Sequence, residues 1–304
     1  LERSRAFFVR LPAAGFIAAF AALALALAPG VRAQASADAP VDATDPADAR
    51  APAPLWEAGL VGIAAWRPPY PGADQDLLRA RVLPYAVYRG AFLRVDDGGV
   101  GLRALRTPRF EWDASGSAAF GSPSRRVPAR RGMPGIGTLV EIGPALKVNL
   151  GDLVRAGRDP RATRLEIPVR AVFDVDDGLA RKGWTFEPRL SHTAWTGARD
   201  VLVVSAGALL GDRRLGDLYY GVAPAYATAE RPAYAARAGL VATRVGASLR
   251  HRLGPSLRLV WFVQAETVRG AANESSPLVR SREDAGAGVS LVWGAWRSSQ
   301  DGAP

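Results

Sequence analysis

Two histidines, His192 and His251, supply the imidazoles of this 304-residue sequence, and it contains no cysteine. Thiolate nucleophiles, disulfides and cysteine-based metal sites are therefore excluded. A hydrolase built from what remains needs a serine, a histidine to take its proton and an acid to orient the imidazole. Ser191 adjoins His192, but neighbouring side chains of an extended chain point to opposite faces. Ser256 follows His251 across the turn-forming Leu253-Gly254-Pro255, and no acid stands beside them in sequence, so that pairing reads as accidental. The acid pairs Asp96-Asp97 and Asp176-Asp177 each run into glycine, which is the chemistry of a turn, and neither has EF-hand spacing. Pro134-Gly135-Ile136-Gly137 lacks the lysine and hydroxyl of a phosphate-binding loop. The sequence predicts no catalytic residue, no metal site and no cofactor.

One charged cluster remains. Between Gly121 and Ile136 lie Arg125, Arg126, Arg130 and Arg131 with three prolines and no acid. Such a segment fits no strand and cannot neutralise itself. It reads either as a solvated linker or as a partner-contact segment whose four arginines attract an acidic surface, mainly by steering encounter, with a salt-sensitive contribution. The formal charge is +10. Outside that cluster the arginines are scattered and not interleaved with aromatics, which excludes a nucleic-acid partner.

The elements that carry these residues are strands. From Arg164, the residues Leu165, Ile167, Val169, Ala171 and Phe173 share one face of an extended segment, opposite Glu166, Arg170 and Asp174. Beyond Asp176-Asp177-Gly178 the alternation resumes, with Trp184, Phe186, Pro188 and Leu190 opposite Thr185, Glu187, Arg189, Ser191 and Thr193. No segment after Leu55 holds a 3.6-residue period. Twelve strands are predicted, with ten as the alternative count: 56–66, 79–88, 91–105, 109–120, 137–150, 164–173, 183–195, 200–210, 219–227, 237–251, 256–267 and 286–296. The third is interrupted by Asp97-Gly98-Gly99, as a bulge or a separate turn.

Residues 1–33 read as a secretory signal peptide: basic Arg3, Arg5 and Arg10, an alanine- and leucine-rich run to Ala28, and small residues at Ala33 and Ala35 for a peptidase. Four arginines and one glutamate fall within it, leaving about +7 on the remainder. Residues 34–54 are rich in Ala, Asp and Pro and are expected to be a flexible linker. The strand domain spans 55–296, with a C-terminal tail over 297–304.

Strand length suggests the solvent. Most of the predicted strands are longer than the five or six residues usual in soluble sheets, and about 9 to 11 tilted residues cross a hydrocarbon layer. There every backbone N–H and C=O must be paired within the protein, so the sheet has to close. The fold class is thus all-β, a closed antiparallel transmembrane β-barrel of about twelve strands with charged residues inside and aromatics at the rims. A soluble sandwich or lipocalin-like barrel is the competing architecture. A barrel of this kind is expected to meet outer-membrane lipid, lipopolysaccharide and the outer-membrane assembly machinery.

Several stretches carry a resemblance. Trp56, Gly59 and Gly62 precede Arg67-Pro68-Pro69-Tyr70-Pro71-Gly72; Leu83-Pro84-Tyr85 leads to Tyr88-Arg89-Gly90; Gly99 and Gly101-Leu102 follow, then Leu218-Tyr219-Tyr220-Gly221-Val222. In this order they resemble the MipA/OmpV family of Gram-negative outer-membrane proteins, over roughly 56–296. The resemblance implies an outer-membrane location and a non-enzymatic envelope role, with a scaffold between a lytic transglycosylase and a peptidoglycan synthase as the namesake's association. A passive channel or permeability factor is the alternative, and an outer-membrane lipid acyl hydrolase a more remote one. Counting twelve strands from a periplasmic N-terminus places the Gly121 to Ile136 segment on the periplasmic side, within reach of cell-wall enzymes.

Overall fold

The structure, a computed structural model, describes residues 54–89, 93–96, 99–102, 105–106, 109–119, 122, 124–150 and 163–299. The expected signal peptide, nearly all of the linker and residues 300–304 lie outside them. The described chain forms one antiparallel sheet of fourteen β-segments. These are β1 (Trp56–Arg67), β2 (Leu77–Arg89), β3 (Leu93–Asp96), β4 (Gly99–Leu102), β5 (Leu105–Arg106), β6 (Phe110–Ala119), β7 (Leu139–Asn149), β8 (Thr163–Asp174), β9 (Ala180–Phe186), β10 (Arg189–Thr196), β11 (Asp200–Gly211), β12 (Gly239–Gly254), β13 (Leu257–Thr267) and β14 (Glu283–Arg297).

Consecutive segments pair, except β4 with β5 and β9 with β10, and β1 also pairs with β14, so the first and last strands are neighbours. The hydrogen-bonded path begins on β4 and ends on β5, with only residues 103 and 104 between them in sequence. β4 also lies beside β6, with Cα atoms within 8 Å.

Three strand expectations change. The segment 91–105 is divided: Asp96 pairs with Gly99, so the interruption is a separate turn and not a bulge. The strand expected over 183–195 breaks after Phe186, where Pro188 has no N–H to give to the ladder. Its flanks β9 and β10 both remain between β8 and β11. The strand expected over 219–227 is absent. A helix, α1 (Arg213–Tyr220), and a short 3₁₀ turn over Pro224–Tyr226 stand there instead. The Asp212 side chain caps α1 by accepting from the Leu215 N–H at 3.0 Å. Leu215, Gly216, Tyr219 and Tyr220 are the buried positions, a helical stripe that period two cannot produce.

The facing of the wall follows the expected alternation, and it is inverted relative to a soluble sheet. Leu78 (72% exposed), Val82 (67%) and Ile142 (55%) stand outside, whereas Arg170 (6%) and Glu266 (8%) are buried inside. Trp184, Phe186 and Leu190 are exposed while Thr185 and Thr193 are buried. Among the described residues no helix is long and apolar enough to cross a membrane.

Two apolar clusters interrupt the polar interior. Phe262 lies inside against Ala65, Ile63 and Ala287. Its ring covers Gly288, where an added Cβ would collide with it. The larger cluster sits at one end, where the connections after β1, β6, β11 and β13 gather over the inward side chains of Leu139, Val172, Leu209 and Val241.

Candidate functional site

The wall's inner face is built from cross-strand ion pairs. Arg170 on β8 reaches Glu141 on β7 at 3.6 Å and Glu187 at 3.5 Å. Glu187, in the break between β9 and β10, also meets Arg244 on β12 at 3.0 Å, and Arg244 meets Glu266 on β13 at 2.9 Å. The Thr185 hydroxyl donates to Glu141 at 3.1 Å. Arg189 pairs with Glu166 at 2.6 Å, and Arg258 with Glu57 at 2.7 Å. Every one of these charges comes from an inward position, and each is satisfied by a strand next to or near its own. Isolated charges in such a place would each cost several kcal/mol, so pairing is a condition of this interior.

A groove opens on this wall. Its floor is made of small residues on β11 and β12, Ser205, Gly207, Gly246 and Ser248; its rim carries Glu187, Arg189, Arg244 and Gln264. The groove is open to solvent. The floor is low because glycines and serines with at most two side-chain heavy atoms alternate along the two strands, with Ser205 opposite Gly246.

The end cluster is a cap. Tyr70 stacks on Tyr219 with ring centroids 6.4 Å apart and meets Tyr220 edge-on at 6.2 Å. The Tyr70 hydroxyl donates to the Leu278 carbonyl at 2.9 Å, and the Tyr220 hydroxyl to the Pro71 carbonyl at 3.0 Å. Burial pushes the Tyr70 phenol up to about 12 and raises that of Tyr220 as well. Gly72, at φ 87°, takes a conformation that side chains disfavour; its carbonyl accepts from the Arg280 N–H at 2.7 Å. Two arginines bind the loops together. Arg130 donates to the carbonyls of Tyr219 at 3.0 Å and Pro134 at 3.3 Å and lies over the Tyr70 ring. Burial lowers its pKa. Arg231 donates to Ala129, Arg131 and Tyr226 carbonyls.

The four arginines expected to form one partner-contact cluster are thus divided. Arg125, Arg126 and Arg131 are exposed, while Arg130 is buried in the cap. Their segment lies at the end where β1 finishes, opposite the first residue of β1 and the last of β14. The strand count behind the expected periplasmic placement changes: the turn between β3 and β4 adds one reversal before β6, so counting from the N-terminus now puts the segment at the other end of the sheet.

The histidines behave as rim residues. His192 Nδ1 lies 2.8 Å from the Thr163 hydroxyl. His251 Nδ1 lies 2.5 Å from Asp200, its register partner on β11. That acid was missed in sequence because only strand pairing brings it near. Among the described residues no hydrogen bond joins Ser256 to His251; the Ser256 hydroxyl accepts from Arg297 at 3.0 Å. Asp96 and Gly99 close a turn, and Asp176 accepts from the Thr138 N–H at 2.8 Å within another. Among the described residues no group of three His, Cys, Asp or Glu is arranged to hold a metal.

A family model described as MltA-interacting protein MipA matches residues 60–295. The chain belongs to the MipA family. It is accordingly a non-enzymatic protein of the Gram-negative outer membrane. Two stretches that carried the resemblance, 67–72 and 218–222, meet in the cap through Tyr70, Pro71, Tyr219 and Tyr220. No curated relative matches the chain. Among solved structures, a crystal structure of a Pseudomonas aeruginosa FadL homologue is similar at 10% identity and a TM-score of 0.28, over 71% of this chain and 60% of that one. The chain thus spans about 60% of that protein's length, and a likeness this distant carries no argument.

Proposed function

We propose that the sheet closes as a twelve-pass barrel, with β4 and β5 acting as one strand and β9 and β10 as another, and that this barrel is an envelope scaffold more than a pore. Closure is supported by the path that starts on β4 and ends on β5, and by the need to pair every backbone group in lipid. The two termini of the sheet and most short turns share one end, which in such barrels is the periplasmic side. The family's description as interacting with MltA points to a cell-wall enzyme as partner, met at that end. A lytic transglycosylase and a peptidoglycan synthase fit this role.

The observation that carries the scaffold reading is the cap. Four connections are packed across the opposite end by buried Tyr70, Leu215, Tyr220 and Leu278, which a freely conducting pore would not need. The charged interior and the groove near Gly207 support a second reading, passage of small polar solutes. Exposed Arg125, Arg126 and Arg131 give the capped end a basic rim for acidic partners such as lipopolysaccharide, away from the periplasmic enzymes. The test has two parts. Purified protein in detergent is expected to retain a lytic transglycosylase in a low-salt pull-down, and to give no steady conductance step in a planar bilayer. Salt-dependent steps together with no enzyme retention would replace the scaffold by a channel.

A further inference from the structure

One corner of the inner face breaks the rule of paired charges. Arg79 alternates with the outward Leu78 and therefore points inward; it is nine-tenths buried. One of its terminal nitrogens donates to the hydroxyl of Ser122, itself 2% exposed at the start of the connection after β6. The other, Nη1, is buried with no hydrogen-bond partner. Elsewhere on the described inner wall Arg170, Arg189, Arg244 and Arg258 each face a carboxylate. The described groups whose charge acts on Arg79 are instead all cations: Arg67, Arg81 and Arg126. A buried guanidinium with a bare donor, in a field of its own sign, lacks an anion of several oxygens.

We propose that Arg79, with Ser122 beside it and Arg126 of the connecting loop close enough for its charge to act there, forms an anion site on the inner side of the wall that takes the phosphate or sulfate group of a soluble solute. Arg67 at the end of β1 and Arg81 on β2 add to the field that draws the anion in. A tetrahedral oxyanion suits the place because a guanidinium offers parallel donors and the Ser122 hydroxyl can turn to donate once Arg79 engages the ligand. The inward direction of Arg79 selects a solute in the lumen over a lipid headgroup, which would meet the outward Leu78 and Val82. The inference does not rest on the scaffold reading.

The experiment is titration calorimetry of the refolded protein in detergent with inorganic phosphate, in a phosphate-free buffer. Wild type is expected to bind one phosphate saturably, with sulfate competing. Arg79→Gln is expected to abolish binding, and Arg126→Gln, on an exposed loop residue that leaves the wall intact, to weaken it about tenfold. Heat-modifiable gel mobility reports folding of both variants. Absence of saturable binding to folded wild type, or equal binding by wild type and Arg126→Gln, would overturn the site. Micelles containing phosphatidic acid provide the second arm: binding of these with none of inorganic phosphate would also overturn it, by moving the recognition to the lipid-facing surface.

Discussion

The wall and the cap use the same residue types in opposite directions. In the wall, Leu78, Val82 and Ile142 face out, and Arg170, Arg244 and Glu266 face in. In the cap, Leu215, Leu278 and Tyr220 are buried, and Arg125, Arg126 and Arg131 are exposed. The difference is the one two solvents would select, since a hydrocarbon layer rewards the first arrangement and water the second. Arg130 and Arg231 show the limit of the rule in the cap, where a buried guanidinium is tolerated once backbone carbonyls accept from it.

The comparison breaks most visibly in the cap's apolar centre. Leu278→Ala removes a fully buried side chain and is expected to cost about 2 to 5 kcal/mol locally. Protease cleavage within 268–282 should accelerate while heat-modifiable mobility of the wall persists. Loss of both together would mean that wall and cap fold as one unit.

Arginine placed on the outer wall is next. Phe186→Arg or Leu190→Arg is expected to destabilise the membrane-embedded protein by about 2 to 4 kcal/mol near the bilayer midplane, read by reversible unfolding in liposomes. If the two faces were equivalent, inward Ser191→Ala would cost as much.

Alkali should separate the regions by about 3 kcal/mol. The Tyr70 phenol ionises near 10.0 when unfolded and at about 12 in the cap. Between those values the folded state holds the extra proton, so cap stability is intact below pH 10 and declines as pH rises towards 12. Protection of the cap from proteolysis is expected to fall over that window, and Tyr70→Phe to reduce the dependence while Tyr220 maintains the remainder. An unchanged profile in Tyr70→Phe would remove Tyr70 as its source.

The smallest effects belong to the inner wall. Ser191→Ala is expected to stay within about 0.5 kcal/mol. Glu187→Ala, which takes an acid from both Arg170 and Arg244, is expected to cost about 1 kcal/mol more. A larger penalty for Ser191→Ala in liposome unfolding would place that residue against lipid.

Much of the wall was legible because period two survives burial on either side: Phe186 and Leu190 faced out and Thr185 and Thr193 in, as the alternation required. Partner choice was not legible. Sequence proximity joins Glu166 to Arg170 and Glu187 to Arg189, whereas register joins Arg189 to Glu166 and Arg170 to Glu187. The cap was misread where Tyr219-Tyr220-Gly221-Val222 has strand propensity, although the Asp212 cap and the Leu215–Tyr219 spacing were available as helix signals. The bare Nη1 of Arg79 depends on a loop folding back onto β2 and left no mark in the sequence.

The inverted wall is the central claim, and tryptophan quenching tests it most directly. Of the eight tryptophans, Trp56, Trp66, Trp112, Trp184, Trp195, Trp293 and Trp296 are exposed on the outside of the structure. In liposomes whose acyl chains carry bromine near the headgroup end, most of the fluorescence is expected to be quenched, with little access for aqueous acrylamide. Full quenching by acrylamide with no effect of the brominated lipid would contradict the account.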